Sequence, residues 1–180
     1  MLPDPLHPAM VHFPIVLMTL LPVVAGVAIW AIRRGAKPTK AWLVPMAFTA
    51  ALSLSAWLSV ETGEQQEERV EDVVSEAAID THADAAERFL LLSVAMAGLA
   101  AVGLFNNRFG SVARGASVVA AAGLVFAGYQ VGHSGGELVY QHGAASAYVG
   151  PNVGSGEAPS DQTAAGEKDR ADDGDDDRKE

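Results

Sequence analysis

The chain has no cysteine and only four lysines in 180 residues. Without thiols there is no disulfide, no thiolate zinc site, no thiol nucleophile and no cysteine-ligated iron–sulfur cluster. Lysine and arginine number 12 against 22 acids, a formal net charge of −10. That balance argues against nucleic acid as a partner, because binding it needs clustered basic side chains. No basic segment precedes the first apolar run, so the start does not read as an ordinary secretory signal peptide. The HExxH, GxSxG and phosphate-loop motifs are missing too, which leaves a hydrolase without support. The chain reads as a carrier or accessory subunit rather than a stand-alone catalyst.

Charge is also absent from four long apolar stretches. Pro14 to Ile32 is an uncharged run of 19 residues, enough for the roughly 30 Å hydrocarbon core of a bilayer. Ala41 to Val60 is a second, Phe89 to Phe105 a third and Ala116 to Val131 a fourth. One charge at the centre of a spanning helix costs about 2.5–3.5 kcal/mol, so these gaps in charge are what membrane helices require. Helices of a soluble bundle would carry a polar stripe, and these do not. The expectation is an all-α, four-transmembrane-helix bundle over residues 1–150, with spans at about 12–33, 41–61, 82–106 and 113–133. Pro22 predicts a kink in the first.

The charged residues give the bundle a direction. Connections 33–40 and 106–115 carry Arg33, Arg34, Lys37, Lys40, Arg108 and Arg114 and no acid, whereas the 61–88 connection carries ten acids and two arginines. The positive-inside rule then puts the first two connections in the cytoplasm and both termini outside, in the inner membrane of a bacterial cell. Trp30, Trp42 and Phe109 read as anchors at the inner interface, Trp57 and Tyr140 at the outer. Val70, Val73, Val74 and Ala77 recur at helical spacing among acids, predicting an amphipathic outer helix at about 65–79 between spans two and three. Thr81-His82-Ala83-Asp84 has the spacing of a capping box and would open the third span. Residues 151–180 hold Gly, Ser, Ala and acids with little apolar content, and read as a disordered acidic tail.

All five histidines, His7, His12, His82, His133 and His142, fall toward the outer ends of the spans under this topology. A bundle core that gathers ligands from facing helices is a standard cofactor site. Haem iron takes axial imidazole in an apolar slot. A b-type haem is therefore the leading expectation, with electron transfer to a redox partner at the outer face. His12 would pair with a fourth-span histidine, and His82 with His7 or His142. Gly128, Gly132 and Gly136 repeat every fourth residue and give one smooth face, for helix packing or for a porphyrin edge. Arg88 and Arg69 are candidates for the propionates. Glu61, Glu137 and Gln141 are candidates to hold the second nitrogen of a ligand histidine. Histidine with carboxylate also suits zinc or copper, so the alternative is an accessory membrane subunit that binds such an ion, or nothing.

Four segments carry a resemblance: Leu6-His7-Pro8-Ala9-Met10-Val11-His12-Phe13-Pro14-Ile15, Thr62-Gly63, His82, and Gly135-Gly136-Glu137-Leu138-Val139-Tyr140-Gln141-His142-Gly143. Together they resemble domain of unknown function 2231, a family of small, predicted four-helix bacterial membrane proteins, over about residues 5–150. The pattern is similar to that of membrane di-haem b-type cytochromes. The resemblance implies His7, His12, His82 and His142 as the family-like ligand positions.

Overall fold

The computed structural model describes residues 5–148; the tail at 151–180 lies outside them. Five α-helices follow in order: α1 (His7–Met10), α2 (His12–Arg33), α3 (Pro38–Val70), α4 (Glu76–Val102) and α5 (Arg108–Tyr140). A single 3-10 turn (Ala144–Tyr148) closes the described chain. No strand occurs among the described residues. Four segments, His7–Arg33 and the helices α3, α4 and α5, are long and apolar enough to cross a membrane. Neighbours in sequence pack side by side and α5 returns to α2, so the four long helices close a ring in which the backbones of diagonal pairs stay apart.

The section through this ring is the reverse of a soluble bundle. Its interior holds small and weakly polar side chains, among them Ala25, Thr49, Ala56, Ser93, Ala100, Ser117 and Ala121, with Leu21 and Leu52. Its outside presents Phe13, Val16, Val23, Leu43, Leu54, Leu91, Val119 and Phe126. An apolar shell of that extent is tolerated where lipid covers it. Small interior residues let helices approach closely where no hydrophobic effect drives them together. Buried hydroxyls need partners in so apolar an interior, and most find them one turn back: Ser55, Ser59 and Thr62 donate to the carbonyls of Leu52, Ser55 and Leu58. Among the described residues only Ser117 Oγ has none.

Three apolar clusters stack along the axis. The middle one joins Met18, Leu21, Leu52, Ala56, Phe89, Met96, Ala121 and Leu124. At the basic end Trp42 packs with Ala25 and Ala28. Trp42 is no interface anchor: it is fully buried, and its indole N–H donates to Ala100 O at 3.0 Å. Gly103 is required opposite it, since a Cβ there would collide with the indole. Arg114 is not a loop cation either. It is 7% exposed and lies inside α5, where Nη1 donates to Gly103 O at 2.6 Å and Phe105 O at 3.2 Å. It thus satisfies carbonyls that the end of α4 leaves open.

The acidic end differs from expectation in its elements. No separate helix occupies 65–79. Helix α3 continues to Val70, a turn covers 71–75, and α4 starts at Glu76 after extended Ser75. Nothing from Glu61 to Val70 stops a helix: the stretch is rich in Glu and Gln, which are good helix formers. Thr81 opens no helix and donates back to Ala77 O. The apolar spacing nevertheless marks a contact, because Val70 and Val74 join Ala78, Ile79, Leu138 and Ala144 in the third cluster. Val73 stays exposed. Helices α3 and α5 each have 33 residues, about 50 Å at 1.5 Å per residue, so both outrun a hydrocarbon core of about 30 Å.

Candidate functional site: a histidine pair at the acidic end of the bundle

Only two of the five histidines meet. His7, on the short helix α1, lies against α3; its Nδ1 is 2.9 Å from Ser59 O. A carbonyl only accepts, so Nδ1 carries the proton. Thr62 Oγ1 stands 3.5 Å from the same nitrogen, too far to matter beside that bond. His82, on α4, lies against α5 with Nδ1 3.0 Å from Ser134 Oγ. The serine gives its single proton to Val131 O, so His82 Nδ1 is again the donor. The two rings approach with centroids 6.4 Å apart and planes 85° to each other. No side-chain hydrogen bond engages either Nε2 among the described residues, while the backbone of Val131 also hydrogen-bonds the His82 ring.

Each imidazole leans on a glycine of the next helix. A Cβ at Gly63 would lie 3.3 Å from His7 Cε1, and one at Gly135 only 3.0 Å from His82 Cε1. The arrangement is therefore paired: a histidine, a glycine behind it, and an anchor for Nδ1 beside that glycine. Anchoring one ring nitrogen fixes the tautomer and leaves the other lone pair for a ligand, as in protein metal sites. Carboxylates stay out of it: no group of three His, Asp or Glu among the described residues could hold a metal ion. A cavity at Ser134, of about 90 Å³, is lined by Ala78, Thr81, Ser134, Glu137, Leu138 and His142 and by neither histidine of the pair.

The other expected residues are elsewhere. His12 is exposed. His133, 61% exposed, stacks on Tyr129 and lies 3.5 Å from Glu137. His142 is exposed past the end of α5 and reaches only the cavity rim. Arg88 pairs with Asp84 at 3.2 Å on the surface, and Arg69 lies over the Tyr148 ring. Glu61 and Gln141 are exposed. Of the glycine repeat, Gly128 is closely packed, against Met18 and Phe89, while Gly132 and Gly136 have open space where a Cβ would go. Sequence reasoning passed over Ser59 and Ser134, the two anchors. Their signal was nearness to a glycine: Ser59 stands one helical turn before Gly63, at the end of the second apolar run, and Ser134 directly before Gly135.

A ring of four apolar helices inside an apolar shell defines a multi-pass helical membrane protein. The chain belongs to domain of unknown function 2231, described as a predicted membrane protein, whose family model matches residues 3–147. No curated protein and no solved structure matches the chain.

Proposed function

We propose that this membrane protein holds a metal between His7 and His82, and that the metal is the iron of a b-type haem used to pass electrons. The observation that supports the reading is convergence: His7, Thr62-Gly63, His82 and Gly135 come from four distant segments and meet at one point, with both Nδ1 atoms anchored and neither Nε2 atom in a side-chain hydrogen bond among the described residues. With metal–nitrogen bonds of about 2 Å, two in-line imidazoles stand with centres about 6 Å apart, close to the 6.4 Å here. The donor set also suits haem. A porphyrin supplies four nitrogens and asks the protein for two axial ligands, and two are present without a third. Bound there, the group supplies one-electron chemistry. The chain's own part is to orient the imidazoles through Ser59 and Ser134. The cavity at Ser134, of about 90 Å³, is below the roughly 300 Å³ where ligand pockets begin and is lined by neither His7 nor His82, so it offers the macrocycle no room at the pair. That tightness favours a second reading, in which a bare copper or zinc ion sits on the pair and completes its shell with water.

In this reading the acidic end faces outward from a bacterial inner membrane, where a redox partner would approach it. The test is the reduced-minus-oxidised spectrum and metal content of the purified full chain. Haem binding predicts a b-type band that vanishes in His7→Ala and in His82→Ala and survives in His12→Ala and His133→Ala. A colourless protein with one copper or zinc, lost in the same two variants, selects the second reading. A protein that binds neither, or a band insensitive to both substitutions, overturns the proposal.

A further inference from the structure

All described acids lie in 61–87 or at Glu137, so the opposite end of the bundle is purely basic. Arg33, Arg34, Lys37, Lys40 and Arg108 are exposed there, and none is in an ion pair among the described residues. Thr39 Oγ1 donates to Leu104 O at 3.2 Å, which ties the start of α3 to the α4–α5 turn. Lys37 and Lys40 flank Thr39 in sequence, and Arg108 begins α5 four residues after Leu104, between exposed Phe105 and Phe109. A second feature lies deeper on the same helices. An apolar groove of about 360 Å³ runs between α4 and α5, lined by Leu92, Met96, Leu99, Ala120, Gly123 and Leu124. Exposed Phe109, Val112 and Ala116 continue its face down α5 toward Arg108. Ala120 stands 12 residues from Arg108, about 18 Å along the axis. An acyl chain reaches about that far, since half a hydrocarbon core is about 15 Å.

We propose that the groove and the basic rim together form a site for one anionic phospholipid, its acyl chain between α4 and α5 and its phosphate at Lys37, Lys40 and Arg108. Charge complementarity selects this occupant. A second copy of the chain would bring its own uncompensated cations to the same rim, and like charges there repel. The small side chains of Ala120 and Gly123 keep the groove open; a larger residue at either would fill it.

The full chain, placed in phosphatidylcholine vesicles doped with phosphatidylglycerol, is probed by electron spin resonance with either lipid labelled near the middle of its chain. The expected result is a motionally restricted component that exceeds the unselective shell around the bundle by about one lipid per protein, that lipid being phosphatidylglycerol by at least about fivefold, the ratio that one basic residue's attraction to an anionic surface gives. Gly123→Leu should remove that one selective lipid and leave the unselective shell. The triple variant Lys37→Gln, Lys40→Gln, Arg108→Gln should keep the additional lipid but lose the preference. Equal restriction of both lipids by the unaltered protein overturns the proposal, as does no restriction beyond the shell. Cross-linking of two chains through Leu92→Cys and Gly123→Cys would also overturn it, assigning the groove to a dimer.

Discussion

At the scale of single residues, glycine separates what a pattern announces from what a contact requires. The repeat Gly128, Gly132, Gly136 is visible in the sequence as one face of a helix, yet only Gly128 is pressed by a neighbour. Gly135, off that face, is the glycine His82 rests on. A one-residue difference in register is invisible without knowing which helix lies opposite. In the proposed haem or metal site, Gly135→Ala should shift His82 by a few tenths of an ångström and weaken its bond to Ser134, read as lowered haem or metal content in protein that still purifies folded. Gly132→Ala meets nothing and should stabilise the bundle by up to about 1 kcal/mol through helix propensity, measured by denaturant unfolding in detergent. Equal cofactor content in the two variants would discard the account of the site. Arg114 carries the same lesson. Its charge reads as a loop cation, but its guanidinium closes the end of α4. Arg114→Ala removes the donor to the buried carbonyl of Gly103 and the part-buried one of Phe105 and should cost about 1–3 kcal/mol in the same unfolding assay, with Arg114→Lys recovering only part because one ammonium on a shorter reach replaces the guanidinium.

At the scale of elements, the four apolar runs were legible because lipid imposes one demand on every spanning residue. The acidic connection was not, because water imposes none. Val70, Val73, Val74 and Ala77 have the spacing of a separate amphipathic helix, but the same apolar residues also occur where two longer helices meet over a turn, and periodicity cannot distinguish these. The break at 71–75 is decided by packing: Val74 turns inward with Ala144 and Leu138. Val74→Asp should therefore loosen the overhanging ends of α3 and α4 and leave the membrane section alone. Hydrogen–deuterium exchange would show this as faster exchange at 66–80 with no change around Leu52 and Met96. Faster exchange throughout would mean that the end cluster holds the whole bundle together. The histidine pair is an element-scale outcome too. His7 reaches His82 because α1 folds back onto α3, and nothing in the residues before His12 announces that short helix except Pro8 at its start.

At the scale of the whole molecule, the charges divide the bundle more sharply than any single loop does. Every described acid sits at one end, beside His7 and His82, and five exposed cations sit at the other with no acid among them. That asymmetry was legible from the sequence, and it survives the move of Arg114 into the interior, because the remaining cations are still all on one side. The excess of Lys and Arg sets which loops stay in the cytoplasm, so the acidic end and the histidine pair should face outward. The missing cysteines make this directly measurable. Any thiol introduced is the only one in the chain, so labelling has no background. In intact spheroplasts a membrane-impermeant maleimide should label Asp72→Cys, in the turn between α3 and α4, and leave Lys37→Cys unlabelled until the membrane is permeabilised. The reverse pattern would put the pair on the cytoplasmic side and move any partner there with it.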